Sequence, residues 1–280
     1  MKTYILTRGE PRELDYGYLG PAPKEWWQVL RDWTTIDRPA SLARGSVDEL
    51  SLLLSGIPSV RRDAIGRPIR FTLVLEAGEA DGELCENLVR VSLSERGREG
   101  LGKALDEALS ATEIDDLLAG RVTATDIDRR VQDALAKALA GQEPAAAATV
   151  LPAAADSWVG SLRDQAAENA FVARVRALAC GQTGYAATLN LVSSTERATA
   201  IAEELREPVA LLLAERVVRG IQPLRKKEPT PPRQSLLDQV VLTFTGRSDR
   251  TTILRLIKIG AVILSAGALA LLIRWLIGRG

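Results

Sequence analysis

YAATLNLVSSTERATAIAEELREPVALLLA, residues 185–214, is the stretch whose reading decides the fold. Residues 185–192 read as a strand, 194–205 as a helix and 208–214 as a second, wholly apolar strand. Strand, helix and strand at this spacing imply a parallel pair joined by a right-handed crossover, and hence an α/β fold. Ser193 and Glu196 have capping-box spacing at the helix start. Asn190 is unusual inside a strand expected to be buried.

Working outward, residues 157–180 read as one helix stopped by Gly181, with a strand over 171–179 as the competing reading. Residues 142–156, rich in alanine and carrying Pro144 and Pro152, read as a linker. Before it, 81–141 reads as helical. Leu101, Leu105 and Leu109 form one stripe, and Ile127, Val131, Leu135 and Leu139 form another. Thr112 and Thr125 stand as candidate caps, and Gly120 and Gly141 as stops. Asp115, Asp116, Asp126 and Asp128 fall in first turns, where they complement helix dipoles rather than bind metal. Lys2–Thr7 reads as a strand, 9–23 as turns and 24–33 as a short helix with Trp26, Leu30 and Trp33 on its core face. Strands are expected over 49–57 and 69–77, with a loop over 58–68. The expectation is a mixed sheet with flanking helices. Its units are an N-terminal α/β domain (1–141), the linker (142–156) and a βαβ-containing part (157–222) that packs separately or with the first. A basic, proline-rich tether with an amphipathic segment (223–252) and an apolar segment (253–280) follow.

That last segment contains fifteen consecutive uncharged residues, 259–273, interrupted by Arg274 and continued by Trp275, Leu276 and Ile277. A helix over 259–277 would be roughly 28 Å long, close to the thickness of a bilayer core. Arg274 snorkels toward the far headgroups and Trp275 suits the interface, while Arg255 and Lys258 mark the near boundary. Residues 225–258 hold eight basic and three acidic side chains, so the N-terminal part is expected on the cytoplasmic side of the inner (plasma) membrane. The chain therefore reads as a single-pass, tail-anchored protein, without a secretory signal at its start. Gly260, Ala261, Ser265 and Gly267 are small residues through which such spans associate.

The chain's 36 basic and 36 acidic residues are unevenly placed: ten basic and three acidic ones follow Leu224, which leaves 26 against 33 before it. An acidic soluble part argues against nucleic-acid binding. The chain has no histidine, which removes Ser-His-Asp and Cys-His catalysis and histidine-ligated metals. Two cysteines, Cys85 and Cys180, are too few for a four-ligand zinc site and read as two buried thiols. No phosphate-loop or dinucleotide fingerprint is present, and no metal or cofactor is expected.

Two places carry candidate ligand chemistry. Arg61, Arg62, Arg67 and Arg70, with Asp63 among them, put four guanidinium groups on one expected loop, as a clamp for phosphate or carboxylate requires. Ser193 and Ser194 lie where strand gives way to helix, at the crevice outside the carboxyl ends of the parallel strands. A thiol at Cys180, on a helix C-terminus, has its thiolate disfavoured. The layout is similar to that of bacterial signalling and defence effectors, in which a cytosolic sensing domain is joined to a membrane segment. That resemblance implies a regulator or effector at the bilayer that binds a small anionic ligand, a partner protein or further copies of itself, with no nucleic acid. A membrane-tethered enzyme or nucleotide-binding protein acting on an anionic substrate, and an oligomerising pore, are the competing expectations.

Overall fold

The long apolar strands of this chain send alternate residues into two different layers, because side chains on a strand face opposite sides in turn. The computed structural model describes residues 1–140, 156–215 and 218–224. The chain divides into two units, Met1–Lys226 and Lys227–Gly280, and every described residue belongs to the first. In chain order its elements are β1 (Lys2–Thr7), β2 (Gly17–Tyr18), a 3-10 turn (Trp26–Leu30), β3 (Ala40–Gly45), β4 (Leu50–Arg62) and β5 (Pro68–Ala77). Four helices follow: α1 (Gly82–Ser92), α2 (Glu95–Ala108), α3 (Ala111–Leu118) and α4 (Ile127–Leu139). The remainder is β6 (Trp158–Ser161), α5 (Gln165–Ala179), β7 (Gly184–Leu189), α6 (Thr195–Leu205), β8 (Val209–Leu213) and β9 (Gln222–Pro223).

Among the described residues these strands make one nine-stranded mixed sheet, in the order β2-β1-β5-β4-β3-β7-β8-β6-β9. The expected parallel pair is β7 with β8, and β6 adds to β8 in parallel. All other neighbours are antiparallel, and β3 against β7 joins the antiparallel part of the sheet to the parallel part. Leu50, Leu52 and Leu54 of β4, with Phe71, Leu73 and Leu75 of β5, pack under α1 to α5. Leu53 and Val74 face the other way, into a layer with Trp26, Trp27, Leu30 and the inner face of α6. The result is a three-layer mixed α/β fold.

The apolar stripes expected of the helices are buried: Leu101, Leu105 and Leu109 on one, Val131 and Leu135 on the next. Several local expectations change. Residues 157–180 are not one helix. Trp158–Ser161 is a fully buried strand, and Asp164 then starts α5 by accepting from Ala166 N and Ala167 N at 2.9 and 3.2 Å. Four residues are too short for a periodicity to register, so the strand merges with the helix in a sequence reading. Residues 40–45, with no expectation attached, form the strand that bridges the two parts of the sheet. Ser110 rather than Thr112 caps α3, and Asp126 precedes α4 in a left-handed conformation without a side-chain cap bond. Residues 24–33 contain a 3-10 turn in place of an α-helix.

Helix α2 lies close against β4, where β4 carries irregularities between Leu54 and Ile57 and again between Pro58 and Arg62. A Cβ on Gly102 would sit 1.8 Å from the Pro58 carbonyl oxygen, so only glycine lets the helix seat there. Arg98, Gly102 and Asp106 are spaced by four along α2 and share a face. Among the described residues no helix is long and apolar enough to cross a membrane; the run 259–277 and its flanks, with Arg255, Lys258, Gly260, Ala261, Ser265, Gly267, Arg274 and Trp275, lie outside the described residues.

Candidate functional site

The loop expected over 58–68 is mostly strand. β4 continues to Arg62 and β5 begins at Pro68, which leaves a tight hairpin turn. The turn is closed by Asp63 N donating to Arg67 O at 3.0 Å and Gly66 N to Asp63 O at 2.8 Å, with Gly66 at a φ of +79°. Because the arginines sit on strand ends, alternation sends them to different places instead of one focus. Arg61 turns inward and is only 5% exposed. Its Nε donates to Ser59 Oγ at 3.0 Å, one terminal nitrogen to Arg8 O at 3.0 Å and the other to Thr7 Oγ1 at 2.8 Å. It lies over the Phe71 ring at 4.9 Å and pairs with Asp106 at 3.7 Å. Burial lowers the pKa of this guanidinium, and Asp106 is the strongest of the charges that oppose the shift.

Asp63 is buried and fully engaged. Its carboxylate accepts from Ile65 N and Arg67 N at 3.1 and 2.8 Å, and from the guanidinium groups of Arg67 and Arg8, each at 3.2 Å. Desolvation raises its pKa, but the backbone donors of Arg67 and Ile65 and the two arginine charges outweigh it, so the carboxyl is held below its ordinary range. Arg62 donates to Gly66 O at 2.9 Å and Arg70 to Asp37 O at 3.2 Å. The hairpin thus joins Asp63 to Arg67, recruits Arg8, and leaves Arg61, Arg62 and Arg70 on separate partners.

A different cluster forms at the carboxyl edge of the parallel strands. A cavity of about 240 Å³ opens there. Thr188 and Asn190 from the end of β7, Ala214 and Glu215 after β8 and Leu162 after β6 line one side; Arg38 to Ser41, Ser92 and Leu93, and Arg98 of α2 line the other. Open α/β sheets bind ligands at this edge. Larger depressions of about 630 and 520 Å³ run along α2, the first floored by helix-surface residues of mixed charge such as Lys103, Glu107, Asp133 and Lys137. The smaller cavity is preferred because convergent polar groups meet apolar walls in it.

Asn190 explains how the cavity wall is held. Its Oδ1 accepts from Thr35 N at 2.9 Å, and its Nδ2 donates to Thr35 O at 2.9 Å and Pro39 O at 3.3 Å. The amide therefore stands in for a missing strand partner and fastens residues 34–39 across the strand ends. Arg38, on that loop, donates to Glu215 at 3.2 Å and to Asn190 O at 3.4 Å.

The hydroxyls follow from proton accounting. Ser92 donates to Val89 O at 2.7 Å, so in the 2.8 Å contact between Ser41 and Ser92 the proton comes from Ser41. Thr188 Oγ1 accepts from Ser41 N at 2.8 Å, and its own proton has no acceptor among the described residues. No base stands beside either serine, so neither is activated as a nucleophile.

Arg98 is half-buried and donates once, to Ser92 O at 2.7 Å. Among the described residues no carboxylate pairs with it, and neither its Nε nor its second terminal nitrogen is committed. Burial lowers its pKa, Glu95 and Glu99 act against the shift and the positive charge of Arg70 adds to it. An arginine stays protonated through such shifts.

Ser194, not Ser193, caps α6, accepting from Arg197 N at 3.2 Å; the cap is one residue later than the expected box, and the cavity reaches β7 at Thr188 and Asn190 instead. Of the functional residues, sequence reading touched Asn190 and missed Arg98 and Arg38. Only their long-range meeting with the strand ends marks them, and one arginine in a helix's first turns carries no local signal. Of the two thiols expected to be buried, only Cys85 is, with desolvation and the Asp81 charge pushing it up to about 12; Cys180 is exposed because it falls at the C-terminal end of α5, past the last core-facing turn. Comparison with known proteins returns no significant match, whether to a family model, a curated protein or a solved structure.

Proposed function

We propose that this chain is a membrane-attached regulatory or effector protein whose α/β unit binds a small anionic ligand in the cavity at the carboxyl edge of β6, β7 and β8. The observation that carries the reading is Arg98: a guanidinium half-buried in a cavity, with one hydrogen bond and no carboxylate partner among the described residues. The N–H groups of Arg98 that have no protein partner among the described residues remain open to an anion entering the cavity, and charge-assisted hydrogen bonds to it would favour binding. Binding is favoured over catalysis because the lining offers hydroxyls without a base, in a chain with no histidine. Attachment to the inner membrane rests on the apolar run 259–277 and the basic residues before it.

The test is ligand-induced thermal shift on the full chain in detergent, against a panel of phosphates, nucleotides and carboxylates. At least one anion is expected to raise the melting temperature, and Arg98→Ala to abolish that rise. A panel without effect, or a rise that Arg98→Ala leaves intact, overturns the site. Attachment is tested by membrane fractionation of the full chain and of a chain lacking residues 254–280. Both sedimenting with membranes would overturn the assigned span.

A further inference from the structure

We infer that the ligand is a small organic monoanion, a carboxylate on a short apolar body, rather than a phosphate or a nucleotide. The inference rests on the cavity being the binding site, and three features of the lining carry it.

Charge comes first. The charged residues that line the cavity are Arg38, Arg98 and Glu215. Arg38 and Glu215 are already paired at the mouth at 3.2 Å, which leaves a single positive charge, that of Arg98, to be matched. Glu95, Glu99 and Arg70 act on it from outside, two negative and one positive, so the surroundings add no positive excess. A phosphate monoester carries about −1.5 to −2 at neutral pH. It would over-neutralise Arg98 and stand against the Glu215 carboxylate. A carboxylate balances the site.

Donor geometry comes second. Arg98 uses one terminal nitrogen on Ser92 O. The edge formed by Nε and the other terminal nitrogen matches the two coplanar oxygens of a carboxylate, which accept from such a fork in parallel. Thr188 adds one hydroxyl whose proton is uncommitted.

Size and wall chemistry come third. Leu93, Leu162, Pro39, Ala40 and Ala214 supply apolar lining. At about 240 Å³ the cavity falls below the roughly 300 Å³ at which pockets for drug-sized ligands begin. A carboxylic acid with a few aliphatic carbons fits this mixture, with its head on Arg98 and its tail against the leucines. A whole nucleoside monophosphate does not.

The experiment uses the full chain in detergent, with acetate, isobutyrate, isovalerate and benzoate as probes, beside isobutyramide, inorganic phosphate and adenosine monophosphate. Calorimetric titration and thermal shift are the readouts. Isobutyrate or isovalerate is expected to bind at least tenfold more tightly than acetate, and isobutyramide not to bind. Arg98→Lys, which keeps the charge but removes the fork, is expected to weaken binding at least tenfold, with an unchanged circular-dichroism melt showing the variant folded. Glu215→Gln, which releases Arg38, is expected to raise phosphate binding at least threefold; no change would overturn the charge argument. Phosphate or adenosine monophosphate binding in an Arg98-dependent way, with the carboxylates inert, overturns this inference and leaves the site standing. If no probe shows Arg98-dependent binding, the inference and the site fall together.

Discussion

Two groups of arginines sit at the same end of this molecule and differ in what surrounds them. At the β4–β5 hairpin Arg61 donates to a backbone carbonyl and two hydroxyls, and Arg67 and Arg8 each donate to the buried Asp63 carboxylate. Arg98 at the strand-end cavity donates to a backbone carbonyl, and among the described residues no carboxylate pairs with it. The hairpin arginines, mostly close in sequence, are held by Asp63 and by neighbouring carbonyls and hydroxyls, while at the cavity Arg38 pairs with Glu215 and Arg98 is left without a carboxylate. Arginine density along a chain is therefore a poor guide to a binding site. The two groups are joined by α2, since Asp106 accepts from Ser59 Oγ at 2.6 Å and Val60 N at 2.8 Å while Arg98, two turns earlier on the same helix face, reaches the cavity.

The largest expected effect breaks the comparison if it fails. Arg61→Ala removes three hydrogen bonds to Ser59, Arg8 and Thr7 and leaves Asp106 with less compensation, so it should cost about 3–5 kcal/mol. For a unit of this size that lowers the melting temperature by roughly 6–20 °C. Arg98→Ala should cost less than about 1 kcal/mol while abolishing ligand binding. Denaturant titration of both variants decides. Equal losses of stability would mean that Arg98 is as structural as Arg61.

Gly102→Ala ranks next. The added methyl would press on the Pro58 carbonyl, and relief requires α2 to lift from β4, at about 1–3 kcal/mol. Because Arg98 and Asp106 ride on the same helix, the variant should also weaken ligand binding, although Gly102 is not among the residues that line the cavity. Calorimetric titration at a temperature where the variant is folded checks this. Undiminished binding would show that the cavity is independent of the hairpin. Asn190→Ala should cost about 1–2 kcal/mol by unpairing Thr35 N and O in a part-buried place. It should also loosen the loop bearing Arg38, seen as faster amide hydrogen exchange over residues 34–39.

The same contrast explains what was legible in the sequence. Continuous apolar runs such as 208–214 and stripes such as Leu101, Leu105 and Leu109 announce their elements because burial follows a local period. The mixed α/β class follows from them. β3 and β6 escape, since one is a short strand of mixed residues ending in Arg44 and Gly45 and the other spans four residues before a helix. The candidate site was half legible. The carboxyl edge of a parallel pair is a topological expectation, and Asn190 advertised itself by polarity. Arg98 did not, because its role depends on α2 packing across β4 and on β3 pairing with β7, neither of which leaves a local mark. The hairpin arginines misled for the opposite reason: proximity in sequence suggested convergence, and strand alternation dispersed them.

The smallest effect sharpens the comparison on the hairpin side. Asp63 is held below the ordinary carboxylate range by backbone donors from Arg67 and Ile65 and by the charges of Arg67 and Arg8. A carboxylate whose pKa is lower in the folded than in the unfolded chain stabilises the fold above its unfolded value, near 3.9, and loses that contribution as pH falls through the folded value. Asp63→Asn keeps the shape but not the charge. The difference in melting temperature between the parent chain and this variant should be greatest near pH 7 and shrink as pH falls below about 4. Glu113 is also held low, chiefly by its hydrogen bonds with Arg130, so the variant should retain part of the acid sensitivity. A difference that stayed constant from pH 7 to pH 3 would mean the Asp63 charge contributes nothing. The hairpin would then be held by its backbone bonds and by Arg61 alone, and Arg67 would be as uncommitted as Arg98.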